Sequence, residues 1–189
     1  MVFRLLKRIE SPRESPLFES GWTGRLHALG RALDEYGVPL RDLAVATAGY
    51  DTWVTVLAYQ GGMYRGVWMP LTLRVEDHAA EYMTAEPDRV ERPPPVGWPA
   101  LKPTMPWSRR LRALGLLLDR SPSQLRDLLI LDLDGGFVVQ GLIQSQSNGH
   151  ESWVGTTREV TADEIAETAR ELPVTAKFRI MRLRKLELA

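Results

Sequence analysis

The chain has 189 residues, and its 24 Lys and Arg balance its 24 Asp and Glu, so the formal net charge at pH 7 is zero. A neutral molecule has no overall field that would attract nucleic acid or an anionic membrane. Cysteine is absent, which excludes disulfides, a thiolate nucleophile and cysteine-based zinc sites and favours a reducing compartment.

The first element is an N-terminal extension, residues 1–21. Its start, "MVFRLLKRIESPRESP", has basic residues inside its apolar run and therefore does not read as a signal peptide. No window of the chain approaches 18 uninterrupted apolar residues, so we expect no membrane-spanning helix. These features predict a cytoplasmic protein without contact to a membrane.

The next element begins a repeat, because residues 22–43 recur without a gap, in one constant register, as residues 107–128. Twelve of the 22 aligned positions are identical: Trp22/Trp107, Arg25/Arg110, Leu26/Leu111, Ala28/Ala113, Leu29/Leu114, Gly30/Gly115, Leu33/Leu118, Asp34/Asp119, Leu40/Leu125, Arg41/Arg126, Asp42/Asp127 and Leu43/Leu128. The same register still aligns Val54/Val139, Leu57/Leu142, Trp68/Trp153 and Val75/Val160. Similarity that fades in a fixed register favours an old tandem duplication.

Each copy opens with an amphipathic helix. Thr23 and Ser108 stand where an N-cap belongs, immediately before apolar residues at i, i+3, i+4 and i+7. Gly30 and Gly115 fall on the apolar face of the two helices, which predicts that another backbone packs closely there. Replacing either glycine with leucine is therefore expected to destabilise the fold by overpacking.

Strand patterns follow the shared Leu-Arg-Asp-Leu in both copies. Copy one has turn signals at residues 49–51 and 61–62, and copy two has them at residues 134–136 and 148–149. A second helix is predicted in each copy, over about residues 75–83 and over residues 162–171. A Thr-x-x-Glu capping box marks the start of the latter.

These elements predict an α+β fold of two tandem repeats, each a helix, a three-stranded antiparallel meander and a helix, related by a pseudo-twofold axis. Copy one covers residues 22–84 and copy two covers residues 107–172, and together they are expected to form one compact domain. A monomer that resembles a fused dimer is the favoured state, with a homodimer as the alternative.

Two further segments complete the chain. The connector, residues 85–106, is rich in proline and should be extended and stiff. Residues 173–189 carry a net charge of +4, from five basic residues and one glutamate. Alternation of apolar residues with basic ones there predicts a C-terminal strand that extends one copy's sheet and points Phe178 and Ile180 inward.

No catalytic or cofactor-binding motif is present: G-x-S-x-G, G-x-G-x-x-G and the P-loop are all missing. Asp77, His78 and Glu81 would share one face of the predicted helix and could hold a metal ion loosely, although a solvated polar face explains them more simply. We therefore predict no catalytic residue, no cofactor and no metal site.

Five residues are candidates for contact with a partner. Trp53 and Trp98 have no tryptophan at the matching position of the repeat, and exposed aromatic residues are common interface anchors. Arg179, Arg182 and Arg184 form a basic ridge on the predicted C-terminal strand. The remaining four tryptophans form the two matched pairs and are expected to serve packing.

The sequence therefore favours a non-catalytic cytosolic protein that binds another macromolecule, in the manner of an interaction or assembly (chaperone-like) protein, with a protein as the partner. One alternative is a nucleic-acid-binding protein that uses the basic C-terminal segment. The other alternative is an enzyme whose site forms between the two copies.

Overall fold

A computed structural model describes residues 17–18, 20–49, 51–61, 66–85, 105–147, 150–173 and 176–185, with the backbone alone at 17–18, 77–85, 146–147, 150 and 179. Over these residues the fold is α+β, with three helices and one sheet of eight strands. Seven of the strands pair antiparallel with one another, and the two-residue strand at residues 17–18 pairs in parallel with the last strand. The α+β class and the antiparallel sheet predicted from the sequence are confirmed.

The first half of the fold consists of β1 (Leu17–Phe18), α1 (Gly21–Asp34), β2 (Leu40–Ala48), β3 (Asp51–Gly61) and β4 (Gly66–Ala85). The second half consists of α2 (Trp107–Asp119), β5 (Leu125–Leu133), β6 (Gly136–Ser147), β7 (His150–Val160), α3 (Ala162–Glu171) and β8 (Ala176–Lys185). The N-terminal extension is described only at its end, and the connector lies almost wholly outside the described residues.

The two meanders lie side by side in the sheet, whose strand order is β1-β8-β4-β3-β2-β5-β6-β7. They meet at β2 and β5, which pair antiparallel with Val45 opposite Ile130. Val45 and Ile130 occupy matching positions of the repeat, as do Asp42 and Asp127, both of which adopt a positive φ beside a register shift in their strand. The two halves therefore carry the same irregularity at matching positions.

The prediction of a helix over residues 75–83 is wrong, because β4 continues as a strand to Ala85. Residues 73–78 and 82–85 pair with β8, and this pairing supplies backbone hydrogen bonds in place of those of a helix. In copy two the capping box is formed as predicted, with the backbone N–H of Glu164 donating to Thr161 Oγ1 at 3.2 Å. The matching positions in copy one are Glu76 and Ala79, which cannot form a capping box.

Helices α1 and α2 pack against each other in antiparallel directions. A Cβ built on Gly30 would lie 2.5 Å from the carbonyl oxygen of Trp107, and one built on Gly115 would lie 2.5 Å from the carbonyl oxygen of Trp22. Since no side chain fits at that distance, each helix uses its glycine to approach the first turn of the other.

The N-termini of these helices are capped by each other rather than by the predicted Thr23 and Ser108. Asp119, at the end of α2, accepts hydrogen bonds from the backbone N–H groups of Trp22 at 2.9 Å and Thr23 at 2.8 Å. Asp34, at the end of α1, accepts from the N–H groups of Trp107 and Ser108, both at 2.9 Å. The side chains of the N-cap residues themselves, Ser20 and Pro106, make no capping hydrogen bond.

Burial raises the pKa of the Asp34 carboxyl above its ordinary value, even though its hydrogen bonds to α2 and the nearby Arg31 guanidinium act in the opposite direction. Asp34 is half-buried at the interface between the two helices.

The helix pair covers one face of the sheet, and the core lies between the two layers. Its central residues are Leu26, Leu29, Leu33, Leu111, Leu114 and Leu118 from the helices and Val45, Val54, Leu73, Ile130 and Val139 from the strands. Phe178 of β8 is buried as predicted and stacks on His27, with ring centroids 3.9 Å apart. Ile180 is only half-buried and Met181 is buried instead, because a register shift opposite this point changes the alternation of β8.

The close approach of α1 and α2 predicts the effect of alanine at the two glycines. Gly30→Ala and Gly115→Ala should each lower the free energy of unfolding by about 1–3 kcal/mol, because the new Cβ meets backbone that cannot move aside. Helix propensity alone predicts a gain of about 1 kcal/mol, so urea unfolding distinguishes the two effects by sign. Gly61→Ala is the control, since its Cβ would meet only Tyr59 Cε1 at 3.5 Å. Stabilisation by both helix substitutions would contradict the contact.

Reciprocal capping predicts that a substitution in one helix loosens the other. Asp34→Ala and Asp119→Ala should each cost about 1–2 kcal/mol, as the loss of a cap does. In Asp34→Ala, hydrogen exchange should accelerate at the amides of Trp107 and Ser108, which belong to α2. The exposed Asp163, in the first turn of α3, gives a matched control substitution to alanine. Faster exchange confined to α1 would contradict capping across the pair.

Candidate functional site

The sheet has a second face, which no helix of the described residues covers, and we call it the helix-free face. Two cross-strand rows of residues define it. The first row runs Arg184, Arg74, Trp53, Ala46, Leu129, Gln140, Thr157. The second row runs Thr72, Thr55, Ala44, Leu131, Val138, Glu159. Directly paired residues share a face, so these rows cross almost the whole sheet.

The centre of the helix-free face is apolar and accessible to solvent. Leu131 is 38% exposed and Leu133, two residues further along β5, is 53% exposed. Leu129, on the same strand, and Trp53, in the same cross-strand row as Leu129, are half-buried. Exposed apolar side chains that cluster on one face make that face a candidate docking surface for an apolar partner.

Two arginine–tryptophan stacks flank this centre, one in each half. The Arg41 guanidinium lies 4.4 Å from the ring centroid of Trp68, and the Arg126 guanidinium lies 4.6 Å from that of Trp153. The two stacks occupy matching positions of the repeat, since Arg41 aligns with Arg126 and Trp68 with Trp153. Such cation–π contacts are weakly attractive at exposed sites.

Most of the positive charge on the helix-free face is neutralised by acidic neighbours. Arg74 pairs with Asp51 at 3.1 Å, and Arg184 pairs with Glu76 at 3.0 Å. The arginines of both stacks also pair, each with the aspartate that follows it in sequence. The hydrogen bond from the backbone N–H of Gly49 is the main cause that lowers the pKa of the Asp127 carboxyl, and Arg126 lowers it further. The face is therefore polar at its ends but carries little excess charge.

Of the five predicted partner-contact residues, three lie on this one face. Trp53 and Arg184 belong to the same cross-strand row with Arg74 between them, and Arg182 is exposed opposite Glu76 on β8. Arg179 lies on β8 opposite Tyr82. Trp98 lies outside the described residues.

Sequence reasoning missed the leucines of β5. The signal was present in "DLLILDL", where apolar residues occupy both parities of one strand. Leu128 and Ile130 fill the core, so Leu129 and Leu131 must point to the other face. A strand that is apolar on both sides predicts either a second covering layer or a binding surface.

Polar groups are also buried under the helices, where they connect the helices to other elements. Arg110 pairs with Asp132 of β5, and Arg112 donates a hydrogen bond to the carbonyl oxygen of Pro173 at 2.8 Å. His27 and Arg112 stand at matching positions of the repeat, and both are fully buried. Since these groups face the packed interior, they stabilise the layers rather than form a reactive cleft.

Pockets and metal ligands give no further candidate in the part of the chain that is described. A depression of about 180 Å³ lies at the β5–β6 turn, below the usual size of small-molecule sites, which is about 300–1,000 Å³. No cluster of three or more potential metal-ligating side chains occurs among these residues. The helical spacing that suggested Asp77, His78 and Glu81 as ligands does not exist, because this segment belongs to β4.

Comparison with known proteins adds no relative: no protein-family model, no curated protein and no solved structure matches the chain. None of the described helices is long and apolar enough to cross a membrane.

Proposed function

We propose that this chain is a non-catalytic cytosolic protein that binds another protein through the helix-free face. The observation that carries the proposal is the exposed apolar centre, where Leu131 and Leu133 are exposed and, on the same face, Leu129 and Trp53 are half-buried. Exposed apolar residues that cluster on one face, rather than scatter singly, are typical of protein-interaction surfaces.

The surface arises, in this proposal, from an internal duplication whose two halves are related by a pseudo-twofold axis. Its supports are the constant register of the sequence repeat, the pairing of Val45 with Ile130 at the join, and the reciprocal caps from Asp34 and Asp119. The axis would pass between β2 and β5, so that the apolar centre lies where the two halves meet. Each half contributes one arginine–tryptophan stack to the edge of the surface.

A protein partner fits the chemistry of this face better than a nucleic acid. Binding to phosphates depends on arginine and lysine side chains whose charge is not already neutralised. Here Arg41, Arg74, Arg126 and Arg184 all have carboxylate partners. An apolar centre with charge-paired ends instead suits a partner that presents an apolar patch with polar groups around it.

Substitution of the exposed leucines tests the proposal. Leu131→Ser with Leu133→Ser should weaken binding of the native partner by about tenfold or more, because both side chains would lose apolar burial in the complex. Affinity purification from the host identifies the partner, and calorimetry with the purified pair gives the loss. Val67→Ser with Met69→Ser is the matched control, since both residues are exposed apolar side chains on β4 outside the two rows. Equal binding by both double variants would contradict the proposal.

Nucleic-acid binding is the second candidate, and the alignment of Trp53, Arg74 and Arg184 in one row is the observation that favours it. A stacked base on the tryptophan with phosphates on the arginines would use this row. In this case affinity would fall steeply with salt, whereas apolar docking would not.

Reversal of the C-terminal charges tests this second candidate. Arg179→Glu, Arg182→Glu and Arg184→Glu together should keep the fold but lower its stability by about 1–2 kcal/mol, because Arg184 loses its ion pair with Glu76 and the new carboxylate at position 182 lies directly opposite Glu76. If the arginines hold phosphates, fluorescence anisotropy with a labelled single-stranded oligonucleotide should show binding by the wild type and none by the variant. Equal anisotropy changes for both proteins, or none for either, would exclude the basic ridge as a nucleic-acid site.

A further inference from the structure

Strand β7 is the last strand of the sheet and pairs with β6 on one side only. Its other edge has no strand partner among the described residues, along a strand of 11 residues. The outward N–H and C=O groups of such an edge can pair with another strand. At the opposite end of the sheet, β1 pairs with the first two residues of β8, and the basic side chains along the rest of β8 disfavour the addition of a strand.

The middle of β7 is apolar, exposed and open. Trp153 is 40% exposed and Val154 is 46% exposed, and as neighbours on a strand they lie on opposite faces of the sheet. Gly155 follows them, and a Cβ built on it would have no atom within 4 Å. An exposed tryptophan next to an open glycine is unusual for an edge that stays in solvent.

Pairing of β7 with β7 of a second copy fits these residues in one register. If a twofold axis perpendicular to the sheet relates the two copies, their helix-free faces lie on the same side of the joined sheet. In such a pair one residue lies at the axis, directly opposite the same residue of the other copy. With Val154 on the axis, the two Val154 side chains meet, and each Trp153 lies opposite Gly155 of the other copy. An aromatic side chain placed across from a strand glycine fills the space that the glycine leaves.

The register with Gly155 on the axis is disfavoured by charge, and the register with Thr156 on the axis places apolar side chains opposite charged ones. With Gly155 on the axis, Glu151 would lie directly opposite Glu159, and like charges at paired positions destabilise a sheet. With Thr156 on the axis, Val154 would lie opposite Arg158, and Trp153 would lie opposite Glu159. With Val154 on the axis, Glu151 instead lies opposite the uncharged Thr157.

The join between β2 and β5 has the same form within one chain. There two antiparallel strands meet with Val45 opposite Ile130, which occupy matching positions in the two halves. We propose that two copies of the chain associate through β7 in the same way, with Val154 at the axis. The helix-free faces of both copies would then lie on the same side, with their Trp153 residues adjacent.

A single cysteine tests this register in a chain that has none of its own. Val154→Cys should form a covalent dimer under mild oxidation, because two residues opposite each other across the axis have the short Cβ separation that a disulfide needs. Val67→Cys, equally exposed on β4, should not form it. Cross-linking is read on a non-reducing gel and should be lost on dilution of the protein before oxidation.

Light scattering gives the second measurement. The wild-type chain should have twice the mass of one chain at high concentration, Val154→Lys should have the mass of one chain because two ammonium groups would face each other, and Val67→Lys should remain dimeric. A monomeric wild type would overturn the proposal. So would a dimer that persists in Val154→Lys, or one that does not cross-link through Val154→Cys. Loss of protein binding in the Leu131 and Leu133 double variant with an intact dimer would leave this inference unaffected, because those residues lie on β5.

Discussion

The fold depends on the contact between α1 and α2, in which each helix begins against the end of the other. An isolated helix leaves its first N–H groups without partners, and here the missing acceptors are the carboxylates of Asp34 and Asp119 on the opposite helix. Gly30 and Gly115 make that distance reachable. Because each helix takes its N-terminal acceptors from the other, both caps form only when the two helices have come together.

The α+β class, the antiparallel sheet and the buried faces of α1 and α2 could be predicted, because local apolar periodicity and the comparison of the two copies indicate them. The capping of each helix by an aspartate of the other could not be predicted, because an aspartate at the end of a helix carries no local signal that its partner is another helix. The continuation of β4 was missed for a related reason. Residues 75–83 were assigned by analogy with α3, whereas their conformation is set by β8, which lies far later in the sequence and pairs with them. In this segment, where Glu76 and Ala79 cannot form a capping box, pairing with β8 outweighs the local helical pattern.

For the candidate site, the sequence revealed individual residues but not the surface that they share. Trp53, Arg182 and Arg184 stood out as unmatched or basic, and the sheet register places them on one face. Leu131 was not recognised, because an apolar residue in a strand is normally assigned to the core, and only the helix layer determines which face of β5 is the core. Whether a strand residue is exposed depends on how the layers assemble, and the sequence pattern of one strand does not contain this information.

The two halves differ after their meanders, and this difference makes the two ends of the sheet unlike each other. After the meander, copy one continues β4 into a long strand that pairs with β8, whereas copy two turns into α3 and leaves β7 at the edge. One end of the sheet is formed by the basic strand β8, whose first two residues pair with β1, and the other end is formed by β7, where Trp153 and Val154 are exposed. Basic side chains along an edge strand disfavour the addition of another strand. Edge pairing is therefore expected at β7, where it gives a closed pair, and it leaves the helix-free face of each copy accessible to a different partner.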